Sequence, residues 1–143
     1  MLTFDVETQL YQLLSQYDIK NRLALSGDIY LGNDRPGDSY KEDIVLQCLE
    51  CQFPKDRKPT PQERATIGIG QVRIYVPDVY VYKGIQGTQY ISARYRLRFI
   101  TEEVITAIRS SWQGHSPRLM ILKQTLTPLP EIHQHMATIV VGA

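Results

Sequence analysis

With 143 residues, 43% of them hydrophobic, the chain has the length of one ordinary domain and enough apolar material for one core; a second full domain does not fit. Lys and Arg nearly balance Asp and Glu, leaving a formal net charge of +1, so no overall field draws the chain to nucleic acid or an anionic membrane and any basic surface must be local. Met1 to Glu7 is acidic and lacks the uninterrupted apolar core of a secretory signal, and no apolar run approaches the roughly 20 residues that span a bilayer. A soluble intracellular protein is expected.

Thr3 can cap a helix over about Phe4 to Ser15, with Asp5 and Glu7 near the positive end of its dipole and Val6, Leu10, Leu13 and Tyr17 along one face. Asp18 to Leu25 adds another turn and places Leu23 and Leu25 against the core before Ser26-Gly27 breaks the pattern. Asp28 to Gly32 reads as a short strand. Asp43 to Cys51 reads as an inner strand, because Ile44, Leu46 and Cys48 make one apolar face and Val45 and Leu49 the other.

Phe53 to Arg64 holds three prolines and many charges, so it is a loop or projecting arm. Ala65 to Pro77 alternates, with Ile67, Ile69, Gln71, Arg73 and Tyr75 on one side and Gly68, Gly70, Val72, Ile74 and Val76 on the other. Glycines within such a strand mark a bulge or a close backbone approach. Val79 to Tyr82 extends this strand past a kink at Pro77-Asp78, and Lys83 to Gly87 is a turn or loop. Between Tyr90 and Trp112 the spacing of Leu97, Ile100, Val104, Ile108 and Trp112 is helical. Arg118 to Leu126 and His135 to Val141 are two further strands, joined through a turn region at Thr127 to Glu131. The order α-β-β-β-α-β-β predicts an α+β domain whose mixed, mainly antiparallel sheet carries two main helices on one face.

Candidate chemistry is sparse. Cys48 and Cys51 could give two thiolates to zinc, completed by His115, His133 or His135, but there is no second ligand pair with a zinc hairpin's spacing and no metal site is expected. A thioredoxin-like role does not fit either, since that motif opens a helix whereas this pair closes a strand. Asp28, Asp34, Asp38, Glu42 and Asp43 form the densest acidic stretch, yet they lack the spacing of a calcium loop. Turn chemistry accounts for them: Asx-type bonds from Asn33 and Asp34 around Arg35-Pro36-Gly37, with Arg35 and Lys41 pairing acidic neighbours. No serine sits in a nucleophile elbow, and neither Gly68-x-Gly70 nor Gly84-x-x-Gly87 precedes a helix as a phosphate loop does. Lys55, Arg57, Lys58 and Arg64 could meet nucleic-acid phosphates, with tyrosines to stack on bases, but Asp56 and Glu63 dilute that charge.

The helix followed by Ser26-Gly27-Asp28-Ile29-Tyr30, the loop Arg35-Pro36-Gly37-Asp38-Ser39, Glu42-Asp43-Ile44-Val45, the strand Val72-Arg73-Ile74-Tyr75-Val76-Pro77-Asp78 and the closing His135-Met136-Ala137-Thr138-Ile139 together resemble a family. It comprises small prophage-encoded proteins grouped with the tail-completion, or tail-terminator, proteins of tailed bacteriophages. The resemblance runs over nearly the whole chain and rests on element order and short phrases. It implies a non-enzymatic α+β subunit without cofactor that forms a homo-oligomeric ring, often a hexamer, capping the tail tube and meeting the head connector. Such a protein resides in the host cytoplasm during assembly and then in the virion tail. A ring requires heterologous contacts between two different patches. Arg35 and Asp38 in the Asn33–Lys41 loop, and Lys55, Arg57, Lys58 and Arg64 in the Cys51–Arg64 arm, are the candidate interface residues. Gln86 to Ile91 and the arm carry no family phrase. The alternatives are a small nucleic-acid-binding module using the basic arm, or a small enzyme.

Overall fold

The computed structural model describes residues 5–52, 67–82, 88–91, 93–110 and 119–142. Helix α1 (Asp5–Gln16) leads into a short helix α2 (Ile19–Arg22), then strands β1 (Ile29–Leu31), β2 (Asp43–Gln52), β3 (Ile67–Pro77), β4 (Val79–Tyr82) and β5 (Thr88–Ile91). Helix α3 (Arg94–Ser110) and strands β6 (Met120–Leu129) and β7 (Gln134–Gly142) complete the chain, with a 3-10 turn at Pro130–Ile132. The main sheet has the order β1-β2-β3-β7-β6, and only the β1–β2 pair is parallel. The expected α+β class is therefore observed, with a mixed, mainly antiparallel sheet. Among the described residues no helix is long and apolar enough to cross a membrane.

The two-residue period of β3 sorts its side chains cleanly. Gly68, Gly70, Val72, Ile74 and Val76 are buried under the helices, while the intervening residues are only half-buried on the opposite face. Ile44 and Leu46 of β2 and Ala137, Ile139 and Val141 of β7 continue the same apolar face. Val6, Leu10 and Leu14 of α1 and Leu97, Ile100, Val104 and Ile108 of α3 cover it. Their three- and four-residue spacing is the reason these segments are helices and not strands. Each large buried aliphatic is worth about 2–5 kcal/mol against alanine. Helix α1 can lie close because β3 offers glycines: a Cβ on Gly70 would stand 2.7 Å from Val6 Cγ1, and one on Gly68 would collide with the same valine.

The second turn is observed as a separate short helix, and Leu23 and Leu25 are buried as expected, together with Ile19. Asp18 takes a left-handed conformation between α1 and α2, with φ 58°, and its carboxylate accepts a bond from Asn21 Nδ2 at 3.0 Å.

Three boundaries differ from the sequence reading. Val79–Tyr82 does not extend β3; it pairs antiparallel with Thr88–Ile91 as a separate two-stranded sheet. Helix α3 begins at Arg94 and not near Tyr90, because the Asp78 carboxylate accepts the Ala93 amide at 2.8 Å and the Leu97 amide then bonds to Ala93 O. Thr127 to Leu129 belong to β6, and the turn falls at Pro130–Ile132, closed by His133 at φ 52°. Proline at position 128 is tolerated because β6 is an edge strand. The expected arm from Phe53, the turn at Lys83 to Gly87 and the end of the last helix at Trp112 lie outside the described residues.

Candidate functional site

Asp43, at the start of β2, has no exposed surface. Burying a lone carboxylate is costly, so its oxygens must be matched by donors. Three converge on it: Arg35 Nε donates to Oδ2 at 2.9 Å, Ser39 Oγ donates to the same oxygen at 2.5 Å, and the Asp28 amide donates to Oδ1 at 3.0 Å. The Arg35 guanidinium also donates to Gln134 Oε1 at 3.0 Å and lies 4.0 Å above the Tyr75 ring. Gln134, itself buried, donates back to Ser39 O at 2.8 Å. The loop between β1 and β2 is thus tied to β2, β3 and β7 by one network.

The five carboxylates of this stretch do not converge. Glu42 receives Arg96 of α3 at 2.6 and 3.0 Å, and this pairing raises the Arg96 pKa above its ordinary value against the opposing effect of burial. Asp28 is held below the ordinary carboxylate range first by the Ile29 amide and then by Lys20, with partial burial opposing. Asp34 and Asp38 are exposed. Among the described residues the loop is held by Arg35, Ser39 and Asp43, and the Asx bonds expected from Asn33 and Asp34 are not seen. Arg35 lies mostly inside the fold, its side chain 12% exposed, whereas Asp38 stands at the surface of the loop. Lys55, Arg57, Lys58 and Arg64 lie outside the described residues.

Next to this network, Asp78 marks the break between β3 and β4. Its carboxylate meets His135 Nδ1 at 2.8 Å, its amide donates to His133 O, and Tyr40 Oη donates to its carbonyl at 2.7 Å. His135 also borders a groove of about 1130 Å³ between α3 and β6. Arg94, Leu97, Arg98 and Ile105 form the helical wall, and Gln124 and Leu126 the strand wall. The groove lies at the outer margin of the cover that α3 gives the sheet. Ala137 of β7 is fully buried, while Leu126, its registered neighbour on β6, is 57% exposed. Met120 and Leu122 on the same edge strand are also more than half exposed.

Sequence reasoning missed this groove, although a signal was present: Met120 to Leu129 mixes apolar and polar residues without a two-residue period and contains proline, the mark of an uncovered edge. His135, on the groove wall, is hydrogen-bonded to the Asp78 carboxylate. Among the described residues no hydroxyl or thiol is bonded to the His135 ring, so the pair is not aligned with a nucleophile.

Cys48 and Cys51 lie at the other end of the sheet, with their sulfurs 3.3 Å apart. Cys48 pairs with Gly70 and His135 with Val76, six residues further along β3, which separates them by about 20 Å. His133 and His135 therefore cannot complete a metal site with the cysteines. Among the described residues no three His, Cys, Asp or Glu side chains come together as a metal site would require.

Neither a known protein-family model nor a curated protein sequence matches the chain.

Proposed function

We propose that the chain is a non-enzymatic structural subunit of bacteriophage or prophage tail completion or head–tail joining, and that copies assemble into a ring. The phage assignment is supported by the resemblance of the Ser26 to Val45 stretch, the Val72 to Asp78 strand and the His135 to Ile139 close to tail-completion proteins. The observation that carries the assembly reading is the groove between α3 and β6, where Tyr95 on the helix and Leu126 on the strand are both exposed, while Met120 and Leu122 are exposed on the opposite face of the same edge strand. Exposed apolar side chains facing each other across a groove mark interaction sites more often than scattered ones do.

Open-ended strand pairing is disfavoured at this edge by Lys123, Pro128 and the register shift between Ile121 and Lys123. Recognition then rests on side chains in the groove. A ring contact joins two unlike patches, and the exposed carboxylates of Asp34 and Asp38 on one copy would meet the groove of the next at Arg94 and Arg98, where Arg98 also bonds to Glu102 of its own helix at 3.0 Å. Such a ring caps the tail tube on one face and meets the head connector on the other.

The test joins light scattering over a range of concentrations with inspection of the flanking genes. Rings that grow in population with concentration, encoded beside portal, capsid and tail-tube genes, are the expected result. A chain that stays monomeric throughout and is encoded away from any phage genes would end this reading.

A further inference from the structure

We propose that Cys48 and Cys51 are a reversible dithiol–disulfide site that fixes the bulged end of β2. In a regular strand, residues three apart point to opposite faces, so a Cys-x2-Cys spacing keeps two thiols apart. Here the ladder slips: Cys48 pairs with Gly70, Glu50 with Ile69 and Cys51 with Gly68. Leu49 is the extra residue, and this bulge moves Cys51 onto the face of Cys48.

The sulfurs consequently lie 3.3 Å apart, and each cysteine faces a glycine across the ladder, which leaves no cross-strand side chain between them. Gly68 and Gly70 are two residues apart, so the bulged pair spans about 7 Å between Cα atoms. That is close to the upper end of the roughly 4.4–6.8 Å found in disulfides. Closing the sulfurs to about 2.0 Å requires side-chain rotation and a small tightening of the bulge. Both thiols are partly accessible, as exchange with an external partner requires.

The oxidant is a small-molecule disulfide such as glutathione disulfide. One cysteine thiolate attacks it, a protein–glutathione bond forms, and the first glutathione leaves as a thiolate. The second cysteine, deprotonated, then attacks the protein sulfur of that mixed disulfide and expels the second glutathione. The two thiol protons end on the two glutathione thiolates, so the protein dithiol loses two electrons and the external disulfide gains them. The same steps in reverse, with reduced glutathione, reopen the site.

The experiment uses the full chain, reduced and diluted, equilibrated with glutathione buffers of increasing oxidation, then acid-quenched, alkylated under denaturing conditions and weighed intact. A monomer that has lost both alkylation sites, carries no glutathione and is restored by reduced glutathione is the expected product. Cys48→Ser and Cys51→Ser should each stop at the glutathione adduct. Amide exchange around Cys51, Gln52, Ile67 and Gly68 should slow on oxidation. Retention of both thiols, a stable glutathione adduct on the unmutated chain, or cross-linking only between copies would overturn the proposal, and these readouts do not depend on ring assembly.

Discussion

Asp43 receives donors only: a guanidinium N–H, a hydroxyl and a backbone amide. A carboxylate suits that environment because it accepts at every lone pair, whereas an amide of the same shape must turn an NH₂ group toward one of the donors. Asp43→Asn therefore unpairs the mostly buried Arg35 and is expected to cost about 3 kcal/mol, the range for breaking a buried ion pair from one side. Urea unfolding checks this, with a lower midpoint and an unchanged slope as the expected outcome. Arg35→Lys should cost less yet not be neutral, since lysine keeps the charge but loses the fork that reaches Asp43 and Gln134 together. Cys48 sets a different dependence. Burial first, then the Cys51 thiol and the Glu7 carboxylate, push its pKa from 9.0 up to about 11. Between those values the folded chain keeps a proton that the unfolded chain has lost, so stability present below pH 9 falls as the pH rises through the window. Thermal unfolding of the reduced chain at stepped pH should show this fall, and Cys48→Ala should shallow it.

At the scale of elements, the seating of α1 depends on what β3 omits. Gly70→Ala places a Cβ 2.7 Å from Val6 Cγ1 and 3.0 Å from Gln47 O, and the second of these is backbone that cannot swing aside. Overpacking of this kind costs about 1–3 kcal/mol. Val6→Ala alone should also destabilise, by opening a cavity, but added to Gly70→Ala it removes the clashing methyl and should recover part of the loss. A double-mutant cycle by urea unfolding reads that coupling, and strict additivity would place the helix elsewhere. The alternation that exposes this arrangement is legible in the sequence, because a half-buried strand imposes a two-residue period, and so is the four-residue spacing of α1 and α3. The β4–β5 pair was not legible: its strands are four residues each, and the second adjoins a segment with helical spacing. Nor was the bulge at Leu49, since one inserted residue changes the face of Cys51 without changing the composition of the strand. The acidic stretch around Asp43 was legible as structural, but not which carboxylate is buried, because its donors come from Asp28, Arg35 and Ser39 in a pattern set by tertiary contact.

For the whole molecule, the distribution of work between its two ends sets what an interface can use. The end bearing Asp43, Asp78 and Gln134 uses its polar side chains to hold the β1–β2 loop and the start of α3, so substitutions there disturb folding before they disturb contact. Asp38, Arg98 and Leu126 are different, because all are exposed and outside that network. Leu126→Lys should leave unfolding within about 0.5 kcal/mol, as surface changes do. Within the proposed ring it buries a charge in the groove, and assembly should weaken at least about tenfold, equivalent to about 1.4 kcal/mol per contact. Asp38→Arg sets like charges against Arg94 and Arg98 of the next copy and should also weaken assembly, most strongly at low salt. Arg98→Asp in the same chain should recover part of it, because opposite charges then face each other across every interface of a closed ring although Arg94 remains and Glu102 loses its partner. Sedimentation of the single and double variants at two salt concentrations measures all three effects. Recovery in the double variant would place the acidic loop in the neighbouring groove, and two additive losses would move the contact to another face of the sheet.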